Sequence, residues 1–181
     1  MEKESFFTQA DETDFDEAYA LIESAFPKIE RRPYEEQKAL LKLPEYTLYL
    51  KRSDRGHIVA LLGVWHYDDF DFIEHAAVIE QARGGGIGSR IFLEYMKEHP
   101  TTIFLEVEYP NEENARRRIR FYKRLGFHMN PYEYAQPAFY EGEEDLPLYV
   151  MTWPETLDNQ TFEQYRDVLM RTVYNKAYCC V

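Results

Sequence analysis

The chain has 181 residues, 45% of them hydrophobic and 16% aromatic, which supplies a core for one folded domain with a small appendage and rules out wholesale disorder. Thirty-three acidic residues against 21 basic ones give a net charge of -12, the wrong balance for a general nucleic-acid binder, which needs a basic footprint. The start, Met1-Glu2-Lys3-Glu4-Ser5, is charged and no apolar signal-peptide core follows it; nor does any apolar run approach the ~18 residues of a membrane helix. Cys179 and Cys180 are adjacent and almost terminal, a placement unsuited to a disulfide framework, a zinc site or an oriented nucleophile. These features predict a cytoplasmic, soluble, metal-free protein that does not engage a membrane or nucleic acid.

Apolar residues at Phe15, Ala18, Leu21, Ile22, Ala25 and Phe26 predict a helix over 15–26, capped by Asp11 or Thr13 and ended by Pro27. A second helix is predicted from Pro33 to about Leu43. The period then changes. Segments 46–51 and 58–66 are rich in β-branched and aromatic residues, and Ser53-Asp54-Arg55-Gly56 separates them as a hairpin turn. A third strand is expected from Phe70 to Ile79, completing an antiparallel meander. A helix with Ile87, Ile91, Phe92, Tyr95 and Met96 on one face follows and ends near Pro100; a strand is predicted over 102–108. Next come a basic helix over 111–125 closed by Gly126, then strands at 127–130 and 148–153. A last helix is predicted over 156–174, with Phe162, Tyr165, Val168, Leu169 and Val173 as its stripe.

Four of the eight glycines fall within Gly84-Gly85-Gly86-Ile87-Gly88, between the predicted third strand and a helix. Glycines let the backbone turn sharply and approach a ligand, and the free N–H groups of the helix's first turn face an anion. Phosphate is the natural guest, and Arg83 can add a charge-assisted contact. A Walker loop fails, because Ser89-Arg90 stands where Lys-Ser or Lys-Thr is needed. A dinucleotide fingerprint fails too: counted from Gly86, its third glycine is replaced by Ile91, and an antiparallel meander precedes it. The bland alternative is a flexible turn.

Arg83-Gly84-Gly85-Gly86-Ile87-Gly88 resembles the Arg/Gln-x-x-Gly-x-Gly/Ala motif of the GNAT superfamily of acetyl-CoA-dependent N-acetyltransferases. Phe121-Tyr122-Lys123-Arg124-Leu125-Gly126-Phe127 is similar to that family's Phe/Leu-Tyr-x-x-x-Gly-Phe. The resemblance spans about residues 5–153. It implies an α+β, three-layer α/β/α fold with a mixed, mostly antiparallel sheet of about six to seven strands and a V-shaped splay around the glycine-loop helix. The corresponding domain is 1–154, with 155–181 as a C-terminal helical extension. It also implies acetyl-CoA as co-substrate, with Ala77, Val78 and Ile79 along the acyl arm. Arg83, Gly84, Gly85, Gly86, Ile87, Gly88 and Ser89 would hold the pyrophosphate. The asparagine that many relatives place seven residues before the helix tyrosine is Ala115 here, with Asn114 one residue earlier as its nearest equivalent.

Direct acyl transfer needs a neutral amine and a proton for the departing thiolate. The resemblance selects Tyr122 from the chain's 15 tyrosines as the proton donor. It offers two candidate bases, Glu74 and Glu106. Simple alternation puts Glu74 on the face of Val78, and Glu108 shares the face of Glu106. His75 and His66 are further possibilities, and a solvated or packed role is open for each of these groups. Arg116, Arg117, Arg118, Arg120, Lys123 and Arg124 make one helix basic; pairing with neighbouring acids is expected for most, with a subset near the 3′-phosphate of CoA. The aromatic and acidic segment 132–147, with Glu141, Glu143, Glu144 and Asp145, suits a cationic amine or is merely a soluble rim. The leading reading is transfer of an acetyl group to a primary amine of a small molecule or protein, in a ternary complex. The alternative is a catalytically inactive acyl-CoA-binding regulatory module, and a homodimer through the last helix is compatible with both.

Overall fold

The computed structural model describes residues 6–174, and these fall into two compact units divided between Thr101 and Thr102. The charged first five residues, Cys179 and Cys180 lie outside the described residues, and so do the expectations made for them. The first unit contains β1 (Thr8–Gln9), α1 (Phe15–Ala25), α2 (Tyr34–Ala39), β2 (Tyr46–Arg52), β3 (Ile58–His66), β4 (Phe70–Val78) and α3 (Ile87–Glu98). The second contains β5 (Thr102–Val107), α4 (Glu113–Arg124), β6 (His128–Met129), β7 (Ala135–Gln136), β8 (Leu146–Pro147), β9 (Tyr149–Trp153) and α5 (Asn159–Thr172). The first unit's ladder runs β1-β2-β3-β4 and the second's runs β5-β9-β6, with β7 and β8 as a separate ribbon; each pairing within a unit is antiparallel. The mixed fold of seven principal strands agrees with the predicted class.

Several predicted boundaries move for identifiable reasons. Asp11 and Thr13 do not cap α1, which starts after Asp14 without a side-chain cap. Asp11 instead accepts hydrogen bonds from the Thr13 N–H (2.7 Å) and hydroxyl (2.6 Å), closing a turn one step upstream. The second helix is α-helical only to Ala39 and then tightens into a 3-10 turn, Leu40–Lys42. The basic helix starts at Glu113, two residues later than expected. The last helix starts at Asn159 rather than Thr156, because the Asp158 carboxylate accepts from the Thr161 N–H at 2.8 Å. The hairpin after β2 forms as predicted, with the Gly56 N–H on the Ser53 carbonyl at 2.9 Å and Gly56 at φ 86.

In the first unit, Phe15, Ala18, Leu21 and Ile22 of α1 and Ile91, Phe92 and Tyr95 of α3 are buried beside the largely buried strands β3 and β4. In the second, Phe104 of β5 meets Phe162 of α5, with ring centroids 5.9 Å apart, and Tyr132 packs tilted against the same phenylalanine at 4.6 Å. Phe162, Leu169 and Val173 are buried within that unit, so the apolar stripe of α5 packs on its own chain.

The pairing of β3 with β4 slips between Gly63 and Val64: Gly63 opposes His75 and Val64 opposes Ile73, leaving Glu74 as the extra residue of a β-bulge. A bulge re-aims side chains, so the alternation used to put Glu74 on the face of Val78 is interrupted. Its side chain is 4% exposed and pairs with Arg32, itself 5% exposed; the other oxygen accepts from the Trp65 indole N–H at 2.9 Å. The neighbouring strands are closely fitted: a Cβ on Gly63 would lie 2.6 Å from the Tyr46 hydroxyl.

Burial by itself would raise the Glu74 pKa, but Arg32, His75 and the hydrogen bonds from Trp65 and Arg32 hold it below its ordinary value of 4.5. The ion pair therefore contributes fully above the unfolded pKa, and the contribution is lost as pH falls through the folded value. Glu74→Ala and Arg32→Met should each destabilise the fold by about 3–5 kcal/mol, because each strands a buried charge. The double variant Arg32→Met/Glu74→Ala should cost clearly less than the sum of the singles. Urea titrations giving additive losses would contradict a coupled buried pair.

Candidate active site

The segment between β4 and α3 is the most unusual backbone in the first unit. Gly84 sits at φ 83 and Gly86, the N-terminal flank of α3, at φ 77; a Cβ added at either would meet nothing within 4 Å. Left-handed backbone of this kind favours glycine, and the open space beyond it lets a ligand approach the main chain. No side chain caps α3. The first helical hydrogen bond that closes over Gly86 comes from the Arg90 N–H at 3.0 Å, so the preceding N–H groups of Ile87, Gly88 and Ser89 belong to the uncapped first turn. Those donors and the positive end of the helix dipole suit an anion. Arg83 is exposed and its Nε donates to the Val78 carbonyl at 3.1 Å, which folds the guanidinium back over the end of β4.

Strand β4 adds backbone groups. The Ile79 N–H bonds the Val59 carbonyl at 3.0 Å, so by alternation the N–H and C=O of Ala76 and Val78 lie on the edge opposite β3. Ala77 is buried, whereas Val78 and Ile79 are half-buried. Both oxygens of Glu74 are engaged as described. His75 is 1% exposed, and burial above all depresses its pKa. His66 pairs with Asp71 at 2.9 Å.

In the second unit Glu106 lies in β5, opposite Val150 of β9. Its Oε1 accepts hydrogen bonds from two phenols, Tyr134 and Tyr174, the latter at 2.6 Å. Neither tyrosine was legible as a partner in the sequence. Tyr134 belongs to the aromatic segment before β7, and Tyr174 follows α5, 68 residues from Glu106. Tyr122 lies near the end of α4, 8% exposed, with its ring against Phe121 and Phe127. Burial, opposed by Arg118 and reinforced by Glu108, pushes its pKa up to about 12. The phenol therefore keeps its proton across the physiological range.

Asn114 is exposed at the second position of α4, and Ala115 is buried one residue later. Glu108 is taken up by Arg118 at 2.9 Å, while Glu113 pairs with Arg116 and Arg120 at 3.1 and 2.6 Å. Half of the helix's six predicted basic residues thus meet acids. The acidic segment places Glu141, Glu143, Glu144 and Asp145 at the surface, and Asp145 accepts from the Ala138 N–H at 3.0 Å. Among the described residues no helix is long and apolar enough to cross a membrane.

The family model described as "Acetyltransferase (GNAT) family" matches residues 15–127. A Bacillus subtilis (strain 168) protein named "Putative acetyltransferase YjbC" is 26% identical over 160 residues, covering 87% of this chain and 79% of its own. A solved structure from Bacteroides thetaiotaomicron, titled as a "Putative acetyltransferase from GNAT family", superposes with a TM-score of 0.84 at 31% identity, covering 93% of this chain and 97% of that one. An aminoglycoside 6'-N-acetyltransferase complexed with coenzyme A shares the fold, with a TM-score of 0.61 at 16% identity over 81% of this chain and 94% of its own. With a matched span covering both the glycine loop and the Tyr122 helix end, the chain belongs to the GNAT family of acetyltransferases.

Proposed function

We propose that the protein transfers the acetyl group of acetyl-CoA to a primary amine by direct attack in a ternary complex. The observation that carries this reading is the uncapped α3 N-terminus behind a glycine loop with two left-handed residues. These features fit a CoA pyrophosphate: unsubstituted backbone, donors in the first turn, and a guanidinium beside it. Gly84 to Ser89 and Arg83 would hold the phosphates, while the outer edge of β4 at Ala76 and Val78 would meet the amides of the acyl arm. Asn114, exposed at the start of α4, is assigned a subsidiary contact with that arm. Acetyl-CoA supplies a thioester whose acetyl carbon accepts the amine nitrogen as its bond to sulfur breaks.

Of the two candidate bases, the proton of the attacking amine is assigned to Glu106. Glu74 is committed to Arg32 and Trp65, and its assignment here is to fix the bulged strand. Two phenols donating to one oxygen of Glu106 hold its carboxylate in place. Tyr122 is assigned the proton that the departing sulfur takes up; burial pushes its pKa up to about 12, so the phenol carries that proton when the thioester breaks. The acceptor is read as cationic, drawn by the surface carboxylates Glu141, Glu143 and Glu144 and by the net charge of -12.

Gly86→Asp puts a strained side chain and a negative charge at the α3 N-terminus, and CoA affinity should fall roughly tenfold or more. Gly56→Asp is the matched control, since Gly56 has φ 86 and equally open surroundings in a different turn. Calorimetric CoA titrations in which both variants bind like wild type would remove the loop from the site.

Tyr122→Phe should lower kcat by roughly 10²–10⁴-fold with little change in acetyl-CoA binding. Steady-state turnover within about threefold of wild type would leave Tyr122 a packing residue.

Tyr174→Phe removes one of the hydrogen bonds that orient the carboxylate of Glu106, and kcat/KM should fall. Glu106→Gln should abolish the acid limb of the kcat/KM pH profile along with most activity. A Glu106→Gln profile that keeps its acid limb would assign the base elsewhere.

A further inference from the structure

The first unit contains a polar cluster that the acetyl-transfer reading does not use. His66 ends β3, Asp71 is the second residue of β4, and His99 is the C-terminal flank of α3. One ligand atom from each lies within 4.8 Å of the others. Sequence reasoning set metal aside because the two cysteines cannot build a zinc site. These three residues come together only through folding, across 33 residues of chain.

The cluster is organised in a manner that a chance surface grouping is not. Asp71 is 3% exposed, and its Oδ2 accepts from the Tyr95 hydroxyl at 2.6 Å. Its Oδ1 faces His66 Nδ1 at 2.9 Å. Tyr95 is fully buried and stacks on the His99 ring, with centroids 4.4 Å apart and planes 15° apart. The Nε2 atoms of His66 and His99 both lie beside the Tyr49 hydroxyl, at 3.3 and 3.5 Å. One buried carboxylate is thus oriented from behind while two half-exposed imidazoles stand in front, open to solvent.

We propose that His66, Asp71 and His99 form a binding site for a divalent transition-metal ion, with Zn²⁺ as the occupant. Two imidazoles and one carboxylate are a donor set that zinc accepts, with a fourth position left for water or another oxygen. Ligand atoms around tetrahedral zinc sit about 3.3 Å apart, given bonds of about 2.0–2.1 Å; Asp71 and His66 already stand at 2.9 Å, and the widest separation, within 4.8 Å, closes by up to roughly 1.5 Å. His66 and His99 are at the ends of their elements with partly exposed rings, where side-chain rotation achieves this without moving the buried Asp71. The Tyr95 hydroxyl acts as the outer partner that fixes the ligating carboxylate. An ion held there links the β3–β4 hairpin to the C-terminal end of α3, the same helix whose other end carries the glycine loop.

The test is calorimetric titration of ZnCl₂ into the chelator-treated full chain, with thermal unfolding and Co²⁺ absorption spectra alongside. One ion per chain is expected, with a higher Tm in zinc and a Co²⁺ spectrum of nitrogen and oxygen donors without thiolate bands. His66→Ala and His99→Ala should each remove stoichiometric binding. Tyr95→Phe should weaken it by roughly 10–100-fold, the usual loss for an outer partner. Cys179→Ser/Cys180→Ser should leave it unchanged. Because the spectrum is read on wild-type protein, misfolding of a variant does not decide the outcome. Absence of stoichiometric binding, thiolate bands with Co²⁺, or binding that survives loss of both histidines would overturn the proposal.

Discussion

A helix that begins without a capping side chain leaves its first N–H groups to be satisfied from outside the helix. That constraint governs the segment leading into α3, where Gly86 flanks the helix in a left-handed conformation and no side chain reaches back to cap it. The contrast with α5 is instructive. There Asp158 supplies an oxygen to the Thr161 N–H, and the helix end is internally complete. α1 and α4 also begin without a side-chain cap, so what sets α3 apart is the glycine run before it, with Gly84 and Gly86 left-handed and open space beyond them.

The two candidate glutamates have different hydrogen-bond partners. Glu74 is the bulged residue of β4 and gives one oxygen to Arg32 and the other to Trp65. A carboxylate so paired is kept charged and is a poor place to deliver a proton. Glu106 accepts hydrogen bonds from the Tyr134 and Tyr174 hydroxyls, which orient it. The aromatic segment before β7 and the end of α5 acquire a role through Tyr134 and Tyr174 that their composition does not reveal.

Much of the fold was legible because its signals are local. The apolar rhythm of α1 and α3, the Ser53–Gly56 turn and the Gly84–Gly88 cluster each act within a few residues, and those elements form where the pattern places them. Boundaries failed where a side chain made a choice that periodicity does not encode, as when Asp11 closed a turn on Thr13 instead of capping α1. The environment of Glu74 was misread because strand alternation assumes no bulge, and a bulge depends on the register of two strands. Arg32 lies 42 residues from Glu74, and the His66, Asp71 and His99 group joins three separate element ends. Pairings of this kind come from tertiary packing, and no window along the chain contains them.

The central claim is turnover, and the direct measurement is release of free CoA thiol from acetyl-CoA across a panel of primary amines, with each amine also omitted. Thiol release that depends on the amine, with stoichiometric acetylated product, is the result this account predicts. Tight CoA binding with no amine-dependent thiol release from any polyamine, aminoglycoside or peptide amine would contradict it and leave a regulatory acyl-CoA-binding module.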